Sequence, residues 1–227
     1  AITNGAPIAP KRSVIYLASI LIGLLIPFGI VFILFAMDTK MHSKQDFEKL
    51  SPNIPVVTEI PFIEESQRTI QKNDRSVLAE AFRILRTNVN YLLPMHQEGK
   101  GAVIFCGSSI KGEGKTFVSL NMALTYASLD KKTIIVGGDL RNPQLHKYLN
   151  LDKNRMGLSN YLHDPTVEWQ SLINENNFKN EYLDIIFAGS VPPNPAELLS
   201  NGRFAVLLES LRAEYDYIIV DTAPTIL

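Results

Sequence analysis

Residues Ala102 to Met122 read AVIFCGSSIKGEGKTFVSLNM: a short apolar run, a polar loop carrying glycines, then a helical pattern. A strand, a loop and a helix in that order are what a phosphate-gripping loop requires. Cys106 ends the apolar run, Gly107 to Gly114 make the turn, and Lys115 and Thr116 stand where a helix opens, with Leu120, Ala123 and Leu124 as its buried stripe. The P-loop template asks for a glycine, four free positions and then Gly-Lys-Ser/Thr. Gly114, Lys115 and Thr116 meet its last three positions, and Ser109 stands at the first. Gly112 and Gly114 still let backbone N–H groups turn inward, and the helix N-terminus adds a dipole that favours phosphate. Ser109, Ile110, Lys111, Gly112, Glu113, Gly114, Lys115, Thr116 and Phe117 are therefore expected to line a nucleotide site. Lys115 would neutralise the β- and γ-phosphates of ATP, and Thr116 would hold Mg²⁺. A plain strand-to-helix turn is the alternative, and two further stretches count against it.

Tyr217 to Val220 is an apolar strand ending in Asp221, the form of a Walker B element. Its carboxylate would reach Mg²⁺ through water beside Thr116. Thr133 to Val136 is another strand, followed by Gly137, Gly138, Asp139, Leu140 and Arg141. A carboxylate at the C-terminal end of a parallel strand lies where open α/β sheets bind ligands, although a lone aspartate there also serves as a turn former.

The chain has 227 residues, enough for one domain of roughly 150 residues and an appendage. Its 22 basic and 23 acidic side chains nearly cancel, so the basic footprint of a nucleic-acid binder is missing and no nucleic-acid partner is expected. Its single cysteine excludes an internal disulfide framework and suits a reducing compartment. Because the chain opens on Ala1 and closes on Leu227, just after an apolar strand and its loop, it reads as a fragment.

Residues 1–13 are expected to be an extracytoplasmic linker, with Pro7 and Pro10 breaking any periodicity. Val14 to Met37 carries no charged side chain. As a helix rising about 1.5 Å per residue it would reach roughly 36 Å, enough to cross a hydrocarbon core of roughly 30 Å. It reads as a transmembrane helix kinked at Pro27. Lys11 and Arg12 on one side balance Lys40 and Lys44 on the other, so charge does not orient it. An ATP site belongs in the cytoplasm, which would put the N-terminus outside. Residues 38–75 read as a juxtamembrane linker, with a short helix over Ser43 to Leu50 and extended chain enforced by Pro52, Pro55 and Pro61. Residues 76–227 are the expected ATPase domain. It opens on an amphipathic helix, Ser76 to Leu93, with Leu78, Ala81, Phe82, Leu85, Val89 and Leu92 in one stripe. Glu80, Arg83 and Arg86 project elsewhere, as a solvated ion-paired face or a subunit contact.

Together these stretches resemble the bacterial tyrosine kinase family, the cytoplasmic ATPase half of polysaccharide co-polymerases in capsule and exopolysaccharide export. The resemblance runs through Ile54-Pro55 and Glu59-Ile60-Pro61, Glu80-x-x-Arg83-x-x-Arg86, GEGKT at 112–116, DLRNP at 139–143, PPNPAELLS at 192–200 and YDYIIVDTAP at 215–224. It implies an α/β fold, a P-loop NTPase-like, mostly parallel sheet with helices on both faces, preceded by one transmembrane helix. It implies an ATP- and Mg²⁺-dependent protein-tyrosine autokinase in the bacterial inner membrane, regulating polysaccharide chain length and export. Lys115, Asp139, Arg141 and Asp221 would be catalytic, with Thr116, Asp139 and Asp221 around the metal. Glu80, Arg83 and Arg86 would join subunits into a homo-oligomeric ring, and the polysaccharide polymerisation and export machinery would be the partner. The acceptor tyrosines would lie beyond Leu227.

The chain departs from the family at Gly137, where the Walker A′ element carries the first of two aspartates. Lys111 stands four residues before Lys115, whereas the signature lysine of the related partitioning ATPases stands five before, so it is read only as a phosphate-proximal charge. A general base assisting the acceptor tyrosine is worth on the order of 10²–10⁴ in rate. Gly137 therefore keeps a second function open, an ATP-gated oligomeric module that phosphorylates no tyrosine.

Overall fold

The apolar runs become strands β1 (Ala102–Cys106), β2 (Thr133–Gly137), β3 (Leu183–Ile186) and β4 (Tyr217–Asp221). The structure is a computed structural model that describes residues 11–38, 44–63, 69–93, 99–149, 151, 155–173 and 180–226. Among these, the strands form one sheet in the order β1-β4-β2-β3, with every neighbouring pair parallel. β2 and β4 are buried throughout, as inner strands of a parallel sheet covered on both faces must be, and they read as unbroken apolar runs. The helices are α1 (Arg12–Ala36), α2 (Lys44–Leu50), α3 (Val77–Leu92), α4 (Lys115–Ala127), α5 (Leu158–His163), α6 (Pro195–Ser200) and α7 (Arg203–Glu214).

The chain divides into two units, residues 1–56 and 57–227. In the first, α1 holds Pro27 inside it and buries no residue, and it is long and apolar enough to cross a membrane. Residues 1–10 of the expected extracytoplasmic linker, and the cap at Ser43, lie outside the described residues.

The second unit begins inside the stretch expected to be linker, because Val57, Ile60, Ile63 and Ile70 pack on its core. That core has two halves, one on each face of the sheet. Ile135 and Ile219 point to the side where α3 and α4 lie, packing with Phe82, Leu85 and Leu120. Ile134, Val136, Ile218 and Val220 point the other way, onto Leu158, Leu172, Leu207 and Leu211. The period of two along each strand separates these sets. On α3 the stripe is met by Leu78, Ala81, Phe82 and Leu85, but Leu92 is exposed, since it ends the helix beyond the rim of the core. Ser76 caps α3 by accepting from the Ala79 N–H at 3.1 Å. α4 is buried almost all round, a central helix rather than a one-stripe surface helix.

The register matters most for function. Cys106 pairs with Asp221, and Asp221 pairs with Gly137, so the C-terminal ends of β1, β4 and β2 finish in one row. The loops leaving β1 and β2 therefore open at the same edge, with the last residue of β4 between them.

Candidate nucleotide site

Between β1 and α4 the chain turns sharply at Gly112 and Gly114, whose φ angles of 95° and 87° lie in the left-handed region where a side chain is strained. Glu113 ties the loop to itself: its Oε2 accepts from the N–H groups of Ser109 at 2.8 Å and Ile110 at 3.2 Å. Those two N–H groups, expected among the ligand contacts, are thus committed to a side chain of the loop. The rest of the loop that lines the cleft described below is Lys111, Gly112 and Gly114, followed by Lys115, Thr116 and Phe117 of α4. Loop shape depends on this internal carboxylate, so Glu113→Ala should weaken ATP-analogue binding by on the order of 1 kcal/mol, about fivefold, measured by calorimetric titration.

Lys115 opens α4 and reaches back across the strand ends. Its Nζ lies 3.2 Å from Asp139 Oδ2 and 3.3 Å from Asp221 Oδ1, and it also donates to the Thr222 carbonyl oxygen. All three of these side chains are less than a tenth exposed. Thr116 donates through Oγ1 to Asp221 Oδ2 at 2.8 Å, and Ser119, one turn further, donates to Asp221 Oδ1 at 3.3 Å. Asp139 is fixed from its own loop, with Oδ1 accepting from the N–H groups of Asn142 at 3.0 Å and Arg141 at 3.2 Å. One lysine, one threonine and two aspartates from three strand ends thus meet at one point, although Lys115 and Asp221 are 106 positions apart in the chain.

The electrostatics of this cluster are unbalanced. Two carboxylates face one ammonium, leaving one buried negative charge in excess. Burial pushes the Asp221 carboxyl above the ordinary aspartate range, and the attraction of Lys115 and the hydrogen bonds from Thr116, Lys115 and Ser119 only partly oppose this. A divalent cation fits such a site. Mg²⁺ is commonly held by one or two carboxylates, several waters and phosphate oxygens, so the two carboxylates here, with the Thr116 hydroxyl beside them, suffice. Among the described residues no group of three or more His, Cys, Asp and Glu could make an all-protein metal cage.

The cluster borders a cleft of about 830 Å³, lined by Lys111, Gly112, Gly114, Lys115, Thr116 and Phe117 from the loop and α4, and by Arg141, Gln144 and Tyr148 from the segment after β2. Of the expected site residues, Ile110, Lys111, Gly112, Gly114, Lys115, Thr116, Phe117, Asp139 and Arg141 face it. Ser109 and Glu113 do not line it, and Asp221 lies beneath it. Thr69, a lining residue with no motif to announce it, arrives from the segment before α3. The Ile70 N–H donates to the Asn121 side chain on α4 at 2.8 Å, stitching that segment beside the site.

Gly137 has a packing role that its motif position did not reveal. A Cβ there would sit 2.9 Å from the Ala188 backbone nitrogen, too close without a shift of the neighbouring chain. Gly137→Asp should therefore lower stability by about 1–3 kcal/mol, seen as an earlier urea midpoint, so it cannot serve as a clean restoration of a Walker A′ carboxylate.

Away from the cleft, Glu80 on α3 is exposed and pairs with Arg83 at 2.9 Å, and Arg83 also donates to the Asp74 carbonyl oxygen. Arg86 does not continue this pairing. It is half-buried and stands near the stacked rings of Tyr126 and Tyr217, whose centroids are 3.8 Å apart. Burial raises the pKa of both phenols, and the Arg86 charge opposes the rise.

No family model matches the chain. The Escherichia coli K12 tyrosine-protein kinase etk is 30% identical over 249 residues, 99% of this chain and 33% of its own length. A Klebsiella pneumoniae relative named for its place in a cps region is 33% identical over 99% of this chain. The chain spans only 32% of that relative, about a third of the length of such proteins. The solved kinase domain of the Escherichia coli tyrosine kinase ETK superposes with a TM-score of 0.67 at 31% identity, covering 80% of this chain and 72% of that one. The chimerical protein CapA2B2 does so with a TM-score of 0.69, also at 31% identity, covering 81% of this chain and 76% of that one. With a parallel sheet, a P-loop joined to two strand-end aspartates, and likeness at this level across most of a solved kinase domain, the chain belongs to the bacterial tyrosine kinase family.

Proposed function

We propose that this chain is the ATP-binding part of a membrane-anchored protein-tyrosine kinase that transfers the γ-phosphoryl group of ATP to a tyrosine of an adjacent subunit. The observation that carries this reading is the position of the Lys115 ammonium, within 3.3 Å of both Asp139 and Asp221 at the N-terminus of α4. Lys115 and the N–H groups from Lys111 to Phe117 hold the phosphate tail and stabilise the charge that develops on it. Thr116, Asp139 and Asp221 would hold Mg²⁺, which would supply positive charge against the phosphates when bound. Arg141, at the mouth of the cleft, faces the transferring group. The acceptor phenol oxygen forms the new P–O bond as the bond to the ADP oxygen breaks, and the phenolic proton leaves to water.

On this reading α1 anchors the kinase in the bacterial inner membrane, with residues 57–227 on the cytoplasmic side. Glu80, Arg83 and Arg86 belong to the helix that joins subunits into a ring. Names such as that of the cps-region relative support a role in polysaccharide chain length and export. A second reading, an ATP-gated oligomer without tyrosine transfer, is favoured by Gly137, which leaves Walker A′ with one carboxylate. Incubation of the longer protein with γ-labelled ATP and Mg²⁺ separates the two. Label recovered as phosphotyrosine is expected; ATP bound and hydrolysed with no phosphotyrosine would replace the kinase by the second reading.

A further inference from the structure

The wall of the cleft contributed by the residues after β2 carries two cationic side chains, Arg141 and Lys147. Lys115 and the loop N–H groups serve the phosphates, Lys111 lies on the same loop, and Arg141 stands next to Asp139. Lys147 is separate: it sits on the 3₁₀ turn Leu145–Leu149, lines the cleft, and is exposed. Among the described residues neither Lys147 nor Arg141 makes a side-chain ion pair. Among the described residues the one carboxylate lining the cleft, Asp139, is held by Lys115. Tyr148, next to Lys147 in the chain, and Phe117 also line the cleft, so it offers aromatic as well as charged surface, although both side chains are partly packed on the core.

We infer that this wall is the acceptor-recognition surface, and that Lys147 selects a tyrosine flanked by acidic residues. The inference rests on the kinase reading of the site and deepens it by naming the substrate class. The acceptor ring enters the cleft that Phe117 and Tyr148 help to line, toward the phosphates over Lys115, and a neighbouring Asp or Glu of the acceptor segment lies against Lys147. Charge complementarity carries the choice. An exposed ammonium with no ion pair among the described residues attracts a carboxylate and repels a lysine-flanked tyrosine, and repulsion of the wrong partner contributes to selection as well as attraction of the right one. Because Lys147 is exposed, its contribution is modest and falls with salt.

The test uses short fluorescein-labelled peptides with one central tyrosine and flanks of glutamate, alanine or lysine. Binding is read by anisotropy on the full chain with Mg²⁺ and a non-hydrolysable ATP analogue. The glutamate peptide is expected to bind about fivefold tighter than the alanine peptide, and the advantage should shrink as salt rises. Lys147→Gln should remove most of that advantage, and Lys147→Glu should reverse it in favour of the lysine peptide, with affinity for the ATP analogue unchanged in both. Equal affinity for all three peptides in the wild type overturns the inference. So does a loss of nucleotide affinity in Lys147→Glu that matches the loss of peptide affinity, since Lys147 would then be a phosphate contact. A parallel transfer assay with ATP keeps the two levels apart. Lys147-dependent binding of the acidic peptide without any phosphotyrosine would sink the kinase reading and leave the recognition surface standing. Transfer to all peptides at equal efficiency would do the reverse.

Discussion

Lys115→Met is expected to reduce tyrosine phosphorylation by at least about 10²–10³-fold, the usual worth of a charge aimed at a transferring group. The structure predicts a second consequence. The Lys115 ammonium is the only cation paired with Asp139 and Asp221 among the described residues, and removing one partner of a buried ionic cluster costs about 3–5 kcal/mol. Methionine matches the length of the stem, so this loss is electrostatic rather than a packing defect. A melting curve recorded with the phosphotyrosine assay distinguishes the two effects. The variant should melt earlier, and Mg²⁺ should recover part of the loss by taking the place of the ammonium between the carboxylates. Unchanged phosphotyrosine in a folded Lys115→Met protein would remove the phosphate-binding role of this lysine.

Asp221→Asn should separate stability from activity. Asparagine keeps one oxygen, enough to accept from Thr116 or from Ser119 but not from both, since the two donate to different Asp221 oxygens; it also removes the excess negative charge, so metal-dependent transfer should fall by about 10²-fold or more. Stability should move the other way. Burial raises the folded-state pKa of Asp221 above its value in an unfolded chain, so the folded protein holds the proton more tightly. The contribution is fully present below the ordinary aspartate pKa of 3.8 and is lost as pH rises through the higher folded value. In a metal chelator, wild type should therefore lose stability relative to Asp221→Asn as pH climbs from about 4 toward neutrality. The difference between the two melting temperatures across that range is the measurement. A wild type that gains on the variant with rising pH would mean that Lys115 outweighs the burial.

These two residues also show how much of the site could be read in one dimension. Gly114-Lys115-Thr116 after an apolar run, and Asp221 at the end of another, are local patterns. The spacing of strand, glycine loop and helix depends on backbone freedom at a few positions and on burial periodicity over a few turns. Glu113 was legible as a loop member but not as the group that occupies the Ser109 and Ile110 N–H groups, because either solvent or ligand could have satisfied them. Gly137 stood out for a missing carboxylate. Its tight contact with Ala188, which depends on β3 pairing beside β2, carries no signature in the residues around it. Arg86 fitted a surface motif with Glu80 and Arg83, yet α3 packs on α4 so that this arginine stands by two tyrosine rings. Thr69 could not be found from any motif; it reaches the cleft because Ile70 is tied to the buried Asn121.

Taken alone, the order of residues determined which segments are strands, which loop can grip a phosphate and which helix can cross a membrane, since each follows from local conformational preference and apolar periodicity. Only the tertiary structure decided that Cys106, Asp221 and Gly137 end in one row, bringing Lys115 against two aspartates, one of them 106 positions further along. Register between parallel strands is a long-range choice, made by the fit of two apolar cores on opposite faces of the sheet, and a slip of one residue would have turned both faces inside out.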